Sequence, residues 1–140
     1  MNIITYCAPD DGENYENLSL ETLRNLFFNL DGTYWCSGSG QASLEFYNGN
    51  FHSTLFIMYS SIAGFCIKYQ SKEGSFYATN PFYEKEVISV YVGGEPLSLE
   101  KKFFLLKELA FQVICIFYED GSMADIYQWT PVKNVKYYNV

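Results

Sequence analysis

At 140 residues, 49% hydrophobic and 18% charged, the chain has the size and composition of one globular domain (1–140) and lies outside the disordered and fibrous classes. A net charge of −7 argues against a phosphate backbone as partner, because nucleic-acid affinity comes largely from Lys and Arg, and equally against an anionic membrane surface. Aromatic residues are dense (13 Tyr, 12 Phe and 2 Trp), more than a core of this size hides, so some tyrosine is expected at the surface.

Taken in order, residues 3–6 read as a short edge strand, broken by Pro9-Asp10-Asp11-Gly12. Residues 1–31 hold six acids (Asp10, Asp11, Glu13, Glu16, Glu21, Asp31) and one base, Arg24; six minus one places −5 of the −7 here. A first helix follows, with Ser19 as N-cap, Leu18 and Leu23 as a hydrophobic staple, and Leu23, Leu26, Phe27 and Leu30 on one face until Gly32. The run Tyr34-Trp35-Cys36-Ser37-Gly38-Ser39-Gly40 matches no phosphate-binding fingerprint and reads as a bend entering a sheet.

A hairpin comes next. Ala42, Leu44 and Phe46 alternate with polar or aromatic neighbours, Asn48-Gly49 gives a turn, and Phe51, Ser53, Leu55, Ile57 and Tyr59 alternate again. Residues 64–70 and 75–78 supply two further strands, and residues 80–85 a loop containing Phe82 and Tyr83. Residues 86–92 alternate as a strand that the pattern places at the centre of the molecule, ended by Gly93-Gly94 and Pro96. With Ser98 as N-cap, Leu99, Phe103, Leu106, Ala110, Val113, Ile114 and Phe117 then recur at spacings of three and four, which predicts one long helix up to Gly121. Residues 123–129 resume a strand, Thr130-Pro131 breaks it, and the tail is expected to be loosely held. The fold class implied is α+β: an antiparallel meander of about five to seven strands with two main helices, the longer near the C-terminus.

No apolar run approaches the roughly 18 residues of a membrane helix. The N-terminus shows no basic n-region or apolar h-region, so the expectation is a cytoplasmic protein without membrane association. Cys7, Cys36, Cys66 and Cys115 are widely spaced with no CxxC, and read as buried free thiols in a reducing compartment. The only histidine, His52, has no partner at metal-ligand spacing, and no nucleophile elbow is present; no metal, cofactor or catalytic residue is expected, and the chain reads as a non-enzyme. Glu119 and Asp120 fall at the C-terminal end of the long helix, where the dipole mildly disfavours negative charge; they read first as a solvated helix end and only secondarily as the mark of a partner.

An acidic, tyrosine-rich surface suits a small protein that binds a basic protein. The candidate interface is Glu84, Glu119, Asp120 and Asp125 with the aromatics Tyr34, Trp35, Phe82 and Tyr83 that turns would expose; Asp10, Asp11, Glu13 and Glu16 are a second candidate group with a weaker claim, since a flexible, solvated segment accounts for them as well.

Gly93-Gly94-Glu95-Pro96, the helix after it, and Phe117-Tyr118-Glu119-Asp120-Gly121 with Trp129 closing a strand resemble the C-terminal half of immunity proteins from bacterial polymorphic toxin and contact-dependent inhibition systems. The match covers roughly residues 86–130. The resemblance implies a cytoplasmic inhibitor that binds a cognate toxin domain, commonly a nuclease or deaminase, and blocks its active site; it also implies that Trp129 packs in the core. Two readings stand beside it: a small-ligand-binding or enzymatic α+β domain using the tyrosine-rich sheet face as a pocket, and an adaptor that pairs with itself through that face.

Overall fold

The computed structural model describes residues 2–10, 13–82, 85–125 and 128–139. Its architecture is α+β. Strands β1 (Asn2–Cys7), β2 (Asn14–Glu16), β3 (Gln41–Asn48), β4 (Phe51–Ser60), β5 (Gly64–Ser71), β6 (Gly74–Thr79), β9 (Phe104–Leu105) and β10 (Gln128–Pro131) form one sheet ordered β10-β6-β5-β4-β3-β1-β2, with β9 also paired to β5. All its pairings are antiparallel. Helices α1 (Leu20–Asn29), α2 (Gly32–Trp35) and α3 (Lys107–Asp120) cover one face, and a separate hairpin of β7 (Val87–Val92) and β8 (Glu95–Glu100) lies over part of the other. Among the described residues no helix is long and apolar enough to cross a membrane.

Period-2 patterning builds the main core. Ile4 and Tyr6 of β1, Ala42, Leu44 and Phe46 of β3, Leu55 and Ile57 of β4, and Phe65, Ile67 and Tyr69 of β5 point to the same side and are buried against Leu23 and Phe27 of α1 and Ala110, Val113, Ile114 and Phe117 of α3. Local chemistry fixes the ends of these helices. The Ser19 hydroxyl accepts from Thr22 N–H at the start of α1, and Gly121 at φ 74° closes α3 with its N–H on Phe117 O.

A second, smaller core joins Met58 of β4, Cys66 of β5 and Tyr77 of β6 to Ile88, Val90 and Leu99 of the β7–β8 hairpin, with Phe103, Phe104 and Val135. Here several expectations change. The strand over 87–92 is not central; it pairs with β8 alone. Ser98 lies within β8 and the long helix begins only at Lys107. Leu99 and Phe103 are buried in the second core, whereas Leu106 is 55% exposed. Their three- and four-residue spacing arises because a strand, a single 3₁₀ turn (Lys101–Phe103) and a helix follow one another, each burying its own apolar residues.

Five smaller corrections follow from pairing and packing. Strand β1 is internal, because β2 takes the edge beside it. The turn of the β3–β4 hairpin is Gly49-Asn50, with Gly49 at φ 60° and Asn48 paired to Phe51. Gly32 does not end α1, which is capped at Leu30; it opens α2 behind the side-chain cap of Asp31. Residues 123–125 are not strand, and Pro131 ends β10 as an edge strand tolerates. The C-terminal tail is docked: Tyr138 N–H donates to Ser98 O, and the Tyr137 and Tyr77 hydroxyls lie 3.1 Å apart.

Candidate protein-binding surface

The helices cover most of one face of the sheet, and the other face is open over about half its length. Residues directly opposed in neighbouring strands share a face, so the pairings Glu16–Thr5–Glu45–Thr54–Gln70–Ser75 form one row across five gaps on the side away from α1 and α3. A parallel row runs Ile3–Tyr47–His52, and another runs Asn14–Cys7–Ser43–Phe56–Lys68. The β7–β8 hairpin covers Met58, Cys66 and Tyr77 but not these rows, where most side chains remain partly or fully exposed.

Side chains on this open half-face hold one another in place. Tyr47 and His52 stack with centroids 4.3 Å apart and planes at 4°. The Tyr47 hydroxyl donates to Glu45 Oε2 at 2.7 Å, and this bond to the carboxylate raises the tyrosine pKa. His52 Nε2 lies 3.9 Å from the same carboxylate and 3.5 Å from the Thr54 hydroxyl. Lys68 Nζ sits 5.0 Å from the Phe56 ring centroid. Glu16 and Glu45 flank Thr5, two strand spacings or about 10 Å apart. The array is rich in aromatic rings, and its two carboxylates outnumber the one lysine.

At the end of the molecule formed by the β3–β4 and β5–β6 turns, further carboxylates join it. Strand β1 starts here, with Asn2 paired to Asn48 and its Nδ2 donating to Glu119 O at 3.3 Å, which brings in the C-terminus of α3. Asp120 is held by Ser122, whose N–H and hydroxyl donate to Oδ1 at 3.0 and 2.5 Å. Asp125 and Glu73 border a hollow with Phe51 and Trp129. Lys72 is the base in the β5–β6 turn. The opposite end carries exposed Leu30, Ile62 and Leu106 around a groove of about 480 Å³, rimmed by Asp31, Lys107 and Glu108.

The residues expected at the interface therefore divide. Glu119, Asp120 and Asp125 are exposed and share the acidic end. Phe82 is 92% exposed, but it follows the far end of β6, on a loop whose Asn80 N–H donates to Lys102 O. Tyr83 and Glu84, like Asp11, lie outside the described residues. Trp35 is not a surface aromatic: it is 1% exposed, packed on Phe27 and Phe65 with ring centroids 5.0 and 5.1 Å away. Helix α2 turns it inward, which the reading of this stretch as a bend could not provide. Tyr34 is half-buried and shares a 2.7 Å hydroxyl contact with buried Tyr6, whose pKa burial raises further. Trp129 packs partly buried against the main core, with Nε1–H donating to Ala124 O at 2.9 Å.

Glu16 belongs to the N-terminal candidate group, whereas Glu45, Tyr47, His52, Phe56 and Glu73 are not among the residues the sequence reading puts at an interface. The signal was present in β3, where Ser43, Glu45 and Tyr47 alternate with the apolar set and so occupy its other face. Among the described residues, no group of three or more His, Cys, Asp or Glu is placed to hold a metal ion. Comparison with models of known protein families and with curated proteins finds no match to this chain.

Proposed function

We propose that this protein is an immunity protein, a non-enzymatic inhibitor that binds a basic toxin domain of the nuclease or deaminase class and occludes its active site. The observation that carries the reading is the open half-face, where Glu16 and Glu45 stand beside Tyr47, His52 and Phe56 on a rigid sheet and continue into Glu73, Glu119, Asp120 and Asp125 at the acidic end. Aromatic side chains on a rigid strand give contact area at small entropic cost, and the carboxylates steer a cationic partner into register. The sequence resemblance over residues 86–130 and the net charge of −7 support the same reading. Inhibition by this surface requires no bond making, only that the partner's catalytic cleft be covered.

The test is co-expression with the product of the neighbouring gene, read for toxicity in its own right. The expected result is restored growth and a stoichiometric complex on size exclusion, both lost on Glu45→Lys together with Tyr47→Ala. Failure of the wild-type chain to restore growth overturns the immunity reading, and a complex unaffected by these changes overturns the reading of this surface.

A further inference from the structure

The hollow beside the acidic end has walls of a particular chemistry. It measures about 440 Å³, within the roughly 300–1,000 Å³ typical of sites for discrete ligand groups, and is lined by Phe51, Tyr69, Trp129 and Met123 with the carboxylates Glu73 and Asp125. Its walls are fixed from behind. Tyr69 OH and Ser53 Oγ both donate to Gly121 O, at 3.2 and 2.7 Å, and the Trp129 indole is tied to Ala124 O at 2.9 Å. Tyr69 and Trp129 stand edge to face with centroids 6.2 Å apart. Phe51 is 38% exposed and stands edge to face with Phe46, ring centroids 6.0 Å apart. Neither Glu73 nor Asp125 has a side-chain hydrogen bond or ion pair among the described residues.

Aromatic walls with unpaired carboxylates at their margin repel anions and offer little to a neutral polar group. They suit a cation, which gains from ring faces and from charge together. A planar guanidinium fits better than a compact ammonium, because it stacks on rings and can present two N–H donors to each carboxylate. We propose that this hollow is a receptor for a single arginine side chain of the partner. This rests on the reading above that the partner is a basic protein, and adds an anchor on the helix side of the sheet, around the β3–β4 turn from the open half-face.

Nuclear magnetic resonance can test it without any partner. The chain has two tryptophans, so the indole N–H signals of Trp129, in the hollow, and Trp35, in the core, serve as reporter and internal control. Titration with N-acetyl-arginine amide should shift the Trp129 signal saturably and leave Trp35 in place, with the lysine analogue weaker and the neutral norleucine analogue inert. Glu73→Gln and Asp125→Asn should each weaken the arginine probe about threefold, the size of a solvent-exposed ion pair. An equal shift with norleucine, or no saturable shift with arginine, overturns the proposal. With the toxin domain, normal affinity of the Glu73→Gln/Asp125→Asn double variant alongside impaired Glu45→Lys overturns the arginine anchor and leaves the interface reading intact. Normal affinity of both variants overturns the interface reading, and the arginine titration then decides the hollow by itself.

Discussion

The two faces of the main sheet are built from the same strands and do different work. On the helix side, Ile4, Leu44, Leu55, Ile67 and Ala78 are all buried under or beside α1 and α3. On the other side burial stops part-way: Met58, Cys66 and Tyr77 lie under the β7–β8 hairpin, while Glu45, His52 and Gln70 stay in contact with solvent. The boundary is written in the strands themselves. Ile57-Met58 and Phe65-Cys66-Ile67 are unbroken apolar runs where both faces are covered, and strict alternation returns in β3, where one face is open. A sheet covered on both sides is a core; one left open over half a face is a surface that can be spent on recognition.

The comparison can be broken most severely on the helix side. Phe117→Ala should cost about 3–5 kcal/mol, because the ring is fully buried beside Phe46 and Tyr69. Urea unfolding measures this, and a loss below about 1 kcal/mol, the ordinary effect of a surface change, would show that α3 is not packed as described. Leu99→Ala, in the smaller core, should cost less, about 2–3 kcal/mol at the lower end for buried leucine. Hydrogen exchange should then show the β7–β8 amides losing protection ahead of β3 and β4. If both hairpins lost protection together, the two cores would be one cooperative unit.

Cysteines sharpen the contrast at smaller cost. Cys7 sits on the open half-face and is partly exposed, whereas Cys66 lies on the same side beneath the hairpin, where burial pushes its thiol pKa up against the opposing charge of Lys68. A raised pKa keeps the thiol protonated and unreactive at neutral pH. Maleimide labelling of the native protein at neutral pH, read by peptide mass spectrometry, should modify Cys7 and leave Cys66 unmodified until the protein is unfolded. Native labelling of Cys66 would mean that the hairpin does not cover it. The thiol of exposed Cys36 is also pushed up by burial and donates to Tyr59 O at 3.5 Å, so its labelling should accelerate as pH rises.

Much of the fold was legible because local rules and tertiary packing agreed. The Ser19 cap, the Gly121 stop and the alternation of β3 and β4 all appear where those residues dictate. Residues 93–106 were misread because two signals overlapped. Gly93 and Gly94, at φ 59° and 85°, make the two-residue turn of a hairpin, yet the accidental spacing of Leu99, Phe103 and Leu106 imitates a helix face. The candidate interface was less legible still. Exposure of Trp35 depended on whether a four-residue helix formed, and the cross-strand row from Glu16 to Gln70 depended on β1 pairing with β2 rather than lying at an edge. Neither follows from a local pattern, because both are set by which distant strand or helix arrives to pack.

The most direct test of the open half-face as a recognition surface is the association rate with the toxin domain, measured by surface plasmon resonance at low and physiological salt. Glu45→Lys and Asp120→Lys should leave circular dichroism unchanged, slow association by about tenfold at low salt and flatten its salt dependence, since steering charges act on the on-rate. Tyr47→Ala should mainly speed dissociation. Association kinetics identical to wild type for both charge reversals, at both salt concentrations, would contradict the account.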